Sequence, residues 1–353
     1  MRKIKHLLSV VPFAMALAAS SAQALVINFN PAAGIDPRAL AGFQAAANRW
    51  QAVLHDDVQV NLNIAFSALA PGVLGSTGST RGTISYDGFR SALTADAWGT
   101  DDQIATSNLS QSSCLNVYLN GTGVNPNGAA GTAGSAIPFV DSNCNANNST
   151  IRLTYANARA VGLAPAIDNV ADGSVSFSSL FTWDFDPTDG VAANAFDFIG
   201  VATHEIGHAL GFVSGVDTLD GNRNGNFSDA AFTFIAPADL FRCSQESRAA
   251  GADIDWAADR RDKFFSLDNC ATTSSANFST GRTFGDGQQA SHWKDNQSLG
   301  ILDPTAGRGE ILNITALDLR LYDVIGWNTV PEPTSIALVL FGLAGLVSTR
   351  RKK

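Results

Sequence analysis

The sequence predicts an α+β fold built around one buried helix, and three segments carry that expectation. Near the N-terminus an amphipathic helix is followed at once by a half-buried strand, a longer apolar helix lies mid-chain, and another helix closes the C-terminal half. Residues 36–54 place Leu40, Phe43, Ala47, Trp50, Val53 and Leu54 at helical intervals. Asp36 can cap that helix, and Pro37 takes the first helical position, where a missing N–H costs nothing. Residues 58–66 then alternate apolar and polar side chains, the period of a strand with one buried face. A helix followed by such a strand implies a layered α+β or α/β arrangement.

Residues 71–85 and 120–150 are rich in Gly, Ser, Thr, Asn and Ala, so they read as loops and irregular connections within a domain. Residues 151–155 and 174–184 look like short strands. Residues 192–212 run almost without polar interruption, and a helix that is apolar on most faces is a central one. Residues 314–327 have helical spacing at Leu317, Leu321, Val324 and Ile325. Thr315 or Asn313 can cap that helix and Gly326 can end it.

Both ends read as processing segments. Arg2, Lys3 and Lys5 precede an apolar stretch at residues 7–19, and Ala22-Gln23-Ala24 follows it. This is the order of a signal peptide, with a basic start, a short apolar centre and a small-residue site for signal peptidase. The mature chain is expected to begin near Leu25. At the other end Pro331-Glu332-Pro333 precedes an apolar run at residues 336–347 and then Arg350, Arg351, Lys352 and Lys353. That run is short for a transmembrane helix, and its basic end should stay cytoplasmic, giving a transient membrane anchor.

Removing residues 1–24 and 331–353 takes away seven basic residues and one acidic residue, which leaves 16 against 31 and a net charge of −15. So acidic a chain is not suited to nucleic acid. The four cysteines, Cys114, Cys144, Cys243 and Cys270, show no CxxC spacing, and an exported chain favours disulfides. Sequence proximity suggests Cys114–Cys144 and Cys243–Cys270, although three connectivities are open.

The chemistry is concentrated in His204-Glu205-Ile206-Gly207-His208. Residues four apart share a helix face, so His204 and His208 can offer two imidazole nitrogens to one zinc ion. Glu205 is offset by one position and can act as general base on an activated water. The chain has only five His and four Glu, and shuffling it would produce this motif roughly once in a thousand chains. Two satisfied core histidines would still leave a Glu inside an apolar helix, where an unpaired charge is costly.

Two nitrogens hold zinc weakly, and a third ligand must come from elsewhere. Gly211 extends the motif in a way that resembles the metzincin pattern HExxHxxGxxH, which implies a third His or Asp at the position where Ser214 stands, and the neutral serine hydroxyl is a poor ligand. Asp217 could coordinate if the chain turned back at Gly211 and Gly215, whereas His55 has no motif around it. The remaining mature histidine, His292, lies in Ala290-Ser291-His292-Trp293-Lys294, followed by Gly300-Ile301-Leu302-Asp303-Pro304.

Residues 196–213 and 290–304 together resemble leishmanolysin-type metzincins, in which an insertion separates the helix motif from a distant third histidine. The resemblance implies a metzincin-like fold: a mixed twisted sheet, a central active-site helix and a loop-rich C-terminal subdomain. On that reading residues 25–213 form the N-terminal catalytic subdomain and residues 214–330 the C-terminal one. It implies His292 as third ligand and places Leu302 where those enzymes carry the methionine below the metal. The C-terminal tail resembles the PEP-CTERM sorting signal of Gram-negative bacteria, which implies recognition by an exosortase and release to the cell surface or extracellular matrix.

Asp220, Asn222 and Asn224 occupy alternate positions, with Gly225 following, as in a Ca²⁺ loop, but Ala231 stands where the final acidic ligand belongs. The expected function is a secreted zinc endopeptidase acting on protein or peptide substrates. A matrix adhesion protein that keeps the fold, and a zinc hydrolase acting on a non-peptide bond, are the competing classes, because the motif specifies activated water and not the bond attacked.

Overall fold

The computed structural model describes residues 24–121, 137–222 and 228–329. The expected signal peptide up to residue 23, the sorting tail and Asn224 lie outside them. Strand β1 (Val26–Pro31), which no spacing announced, opens the chain, and helix α1 (Pro37–Gln51) and strand β2 (Gln59–Ser67) follow as their spacing predicts. The Asp36 carboxylate caps α1 by accepting Arg38 N at 2.8 Å.

Residues 71–85 correct the loop expectation, because strands β3 (Gly75–Ser79) and β4 (Arg81–Ser85) lie there. Neither strand buries an apolar face, so neither has the alternation that marks one. Their backbone groups are satisfied by distant strands, and that pairing is a tertiary fact. Helices α2 (Tyr86–Asp96) and α3 (Thr100–Asn108) also escaped the sequence reading, although Tyr86, Phe89 and Leu93 bury one helical stripe of α2.

Strands β5 (Val117–Leu119) and β6 (Phe139–Asp141), helix α4 (Ala146–Ser149), strand β7 (Thr150–Thr154) and helix α5 (Tyr155–Ala160) come next. Thus the expected loop at 120–150 holds β6 and α4 within its described part. Strands β8 (Gly173–Ser178), β9 (Trp183–Asp184) and β10 (Phe196–Asp197) lead into helix α6 (Phe198–Leu210). The C-terminal half contains helix α7 (Val216–Asn222), strand β11 (Arg242–Cys243), helix α8 (Gln245–Ala249), and the short strands β12 (Ile254–Asp255), β13 (Lys263–Phe265) and β14 (Asn277–Phe278). Helix α9 (Ala316–Val324) closes it, capped by Thr315.

This is a mixed α+β fold with several small sheets. The largest has the order β1-β2-β8-β3; β1, β2 and β8 run parallel, and β3 is an antiparallel edge strand. Phe43 of α1, Phe177 of β8 and Phe198 of α6 pack ring against ring at 4.7–5.2 Å, which joins sheet and helices in one core. Trp50 Nε1 donates to Thr203 O at 2.8 Å in that core, so α1 is tied to the middle of α6. The two halves interlock, since β12 pairs with β5 and one apolar core runs through both.

Cys114–Cys144 and Cys243–Cys270 are disulfide-bonded, the pairing that proximity suggested. No helix among the described residues is long and apolar enough to cross a membrane.

Candidate metal centre

Helix α6 begins later than its apolar run. Phe196 and Asp197 pair with β9 in extended conformation, and the Asp197 carboxylate then accepts Gly200 N at 2.8 Å as the cap. From Ala195 to Phe212 the run is largely buried, whereas residues 192–194 are exposed, and burial does not distinguish strand from helix. The helix ends at Gly211, whose φ of 131° is a conformation that glycine adopts without strain.

On α6 the two motif histidines face the same way, and the loop after β14 brings His292 to meet them. The three Nε2 atoms form a nearly equilateral triangle: 3.1 Å from His204 to His208, 3.1 Å from His208 to His292 and 3.2 Å from His292 to His204. Each Nδ1 faces a backbone carbonyl, Ile301 O at 2.8 Å for His204, Phe212 O at 2.7 Å for His208 and Gln289 O at 3.1 Å for His292. A carbonyl only accepts, so each Nδ1 carries the ring proton and each Nε2 presents a lone pair.

Three lone pairs converging without a proton between them repel one another unless a cation lies among them. Tetrahedral zinc at about 2.0–2.1 Å from nitrogen needs N···N separations of roughly 3.3–3.4 Å, close to those observed. Among the described residues these three histidines are the group able to hold a metal ion. Burial and the neighbouring His204 push the His208 imidazole down to about 3, and burial with the same neighbours takes His292 well below its usual range. Neutral imidazoles are the form that binds metal.

Glu205 is 7% exposed, at the same cleft. Burial raises its pKa above the ordinary carboxylate range, opposed by His204 and by a hydrogen bond from Thr77. Thr77 Oγ1 is 2.7 Å from Glu205 Oε2. Gly75 lies against the same side chain, and a Cβ there would stand 2.8 Å from Oε1 and 2.9 Å from Cγ. Neither Thr77 nor Gly75 is visible as a site residue in the sequence, because their role depends on β3 being a strand beside α6.

Asp217 does not join the triangle of nitrogens. Its carboxylate accepts Ala290 N at 2.6 Å, Ser291 N at 3.2 Å and the Ser291 hydroxyl. Those donors flank His292, so Asp217 positions the loop that carries the third imidazole. Burial pushes the Asp217 carboxyl up to about 6. Ser214 is likewise engaged: its N–H donates to Ser291 Oγ at 2.8 Å and its hydroxyl donates to buried Asp239.

On the other side, the Asp318 carboxylate of α9 accepts Trp293 Nε1 at 2.8 Å and Ile301 N at 2.8 Å. One buried acid thus ties the residue after His292 to the carbonyl that orients His204. Leu302 is fully buried beneath the helix. Tyr322 is a core residue that donates its hydroxyl proton to Gly207 O at 2.7 Å. His55 is at the surface.

The calcium-loop residues have protein partners. Asp220 accepts Thr283 N at 2.6 Å and Phe284 N at 2.8 Å, and Asn222 Nδ2 donates to Gly121 O at 3.1 Å. Asp220 therefore serves the loop before His292. The alternate spacing that suggested a Ca²⁺ site has its first two positions turned to other segments.

A cleft of about 780 Å³ runs over the histidines, bounded by β3, Arg81, the loop at 287–292 and residues 303–306. No curated protein and no solved structure matches the chain. Residues 329–353 match the family described as the PEP-CTERM protein-sorting motif, so the chain carries the signal that exosortases recognise for export and cell-surface sorting in Gram-negative bacteria.

Proposed function

We propose that this chain is an exported zinc-dependent endopeptidase of the metzincin kind, similar to the leishmanolysin type, with His204, His208 and His292 as ligands and Glu205 as general base. The convergence of three unprotonated Nε2 atoms at 3.1–3.2 Å carries the reading. Zinc bound there supplies Lewis acidity, which brings the pKa of a water down toward neutrality.

The protein's own residues do the rest. Glu205 follows His204 by one position and faces the same cleft, so its carboxylate accepts a proton from the attacking water and returns it to the leaving amine. The Thr77 hydroxyl holds that carboxylate in place. The carbonyls of Ile301, Phe212 and Gln289 fix the three ring orientations.

A peptide substrate is favoured by β3. This strand ends its sheet, and Gly75, Ser76, Thr77 and Ser79 line the cleft. A free strand edge offers N–H and C=O groups at regular spacing, which an extended polypeptide can pair with as an added strand. A protein kept for adhesion alone has no use for a buried carboxylate beside three ligands, where its desolvation is costly.

The test is zinc content together with casein cleavage by the purified protein, before and after chelation and after zinc is restored. One zinc per chain with chelator-sensitive, zinc-restored cleavage is the expected result. Absence of bound zinc, or cleavage indifferent to the chelator, overturns the proposal.

A further inference from the structure

We propose that Arg81 makes the part of the cleft beside His208 a recognition site for a carboxylate side chain of the substrate, so that the enzyme cuts next to Asp or Glu. The inference rests on the endopeptidase reading and adds to it the chemistry of the substrate.

Arg81 opens β4 and lines the cleft with Ser214, Asp217 and Thr218. His208 lines the same cleft. Yet its guanidinium forms neither an ion pair nor a hydrogen bond with any described residue, in a mature chain where acids outnumber bases almost two to one. Arg38, Arg90, Arg159, Arg261, Lys263, Lys294 and Arg320 pair with carboxylates, and Arg49, Arg242 and Arg308 donate to backbone carbonyls. Arg81, like Arg248 and Arg260, does neither among the described residues, but unlike those two it lines the cleft.

A second cation stands next to it. In the β4–β7 ladder Arg81 is opposite Thr154 and Thr83 is opposite Arg152, so Arg81 and Arg152 project from the same face as diagonal neighbours. Arg152 stacks on Phe234, its charge 4.8 Å from the ring centre, and has no carboxylate partner among the described side chains. Two like charges on one face repel.

The nearest acids do not relieve that repulsion by pairing. The Asp217 carboxylate takes three donors from Ala290 and Ser291. Asp239 takes donors from Ser214, Gly215, Ala236 and Trp256. A third arginine, Arg282, lines the same cleft and also has no ion pair among the described side chains. An anionic side chain entering from solvent would meet guanidinium forks that the protein leaves open, and Arg pairs with a carboxylate through two parallel bonds.

The experiment is cleavage-site profiling of the zinc-loaded protein on a mixture of proteome-derived peptides, read by mass spectrometry, for the wild type, Arg81→Gln and Arg81→Glu. In the wild type, Asp and Glu should be enriched at one fixed position adjoining the cleaved bond. Arg81→Gln should lower kcat/KM about 10- to 100-fold for an acidic peptide, with less than about a threefold change for the same peptide carrying Gln at that position. Arg81→Glu should shift the enrichment to Lys and Arg. Wild-type cleavage with no acidic preference overturns the inference without needing any variant to fold. An equal loss on the acidic and Gln peptides overturns it too. If the wild type cuts no peptide at all, it is the endopeptidase reading that fails.

Discussion

Thr77 Oγ1 lies 2.7 Å from Glu205 Oε2 and 2.8 Å from Glu205 O. A hydroxyl on the edge strand is thus held against both the side chain and the backbone of the residue between the two motif histidines. It has one proton to give, and the carboxylate is the stronger acceptor.

Glu205→Gln should keep bound zinc and lose hydrolysis by about 10²–10⁴-fold or more, because it removes the proton acceptor and no ligand. Thr77→Val should keep zinc and reduce kcat by roughly three- to thirtyfold, the effect of loosening one positioning hydrogen bond. Gly75→Ala places a Cβ against Glu205 and should lower kcat by about 10- to 100-fold with zinc retained. Zinc content by atomic absorption and kcat on one peptide check all three; loss of zinc in Glu205→Gln would refute its assignment.

His292→Ala should lose most bound zinc, since two nitrogens on one helix hold the ion weakly. Asp217→Asn should weaken zinc binding about 10- to 100-fold while leaving the ligand set intact, because it disturbs the donors of Ala290 and Ser291 around His292. Ser214→Ala should leave the stoichiometry at one. Competition titration with a zinc chelator separates these cases. Zinc affinity unchanged in His292→Ala would refute the third ligand.

Stability should fall as pH rises from about 4 to 7. Burial pushes the Asp56 carboxyl up to about 7, and Asp96 and Asp323 up to about 6. These groups hold protons in the folded chain that the unfolded chain has already released, so ν_N exceeds ν_U and the slope of unfolding free energy with pH is negative. The contribution is fully present below the unfolded value of 3.8 and is lost as pH passes the folded values. Thermal melts should show a lower melting temperature at pH 8 than at pH 5.5, and Asp56→Asn should flatten that difference. A melting temperature rising across this window would contradict the assignment.

Cutting off residues 331–353 should leave cleavage of a peptide unchanged within about threefold, since surface changes remote from a core rarely exceed ~0.5 kcal/mol. The same deletion in the producing cell should abolish sorting, read by fractionation. Loss of activity in the purified truncated protein would show that the tail belongs to the fold.

How far the sequence led differs between helices and the edge strand. The helix at α1, the strand at β2, the capped closing helix and the motif on α6 were legible because each obeys a local period or cap that the chain carries within itself. The disulfide pairs were legible from proximity. In β3 and β4 the same reading failed, since Gly75, Ser76, Thr77, Gly78 and Ser79 have no apolar alternation and owe their extended form to hydrogen bonds with β8.

By itself the sequence determined the two histidines four residues apart, the carboxylate beside them and the sorting motif at the end, because these are spacings along one chain. Only the tertiary structure decided that His292, 84 residues beyond His208, completes the triangle and that Asp217 does not. Both residue types can bind zinc; which one stands beside the two helix histidines depends on where the chain places its atoms. Asp217 is turned toward the amides of the loop that carries His292, and Asp318 on α9 holds the other end of that loop. Backbone donors from distant segments made the choice, and no local pattern encodes which donors a folded chain will bring to a carboxylate.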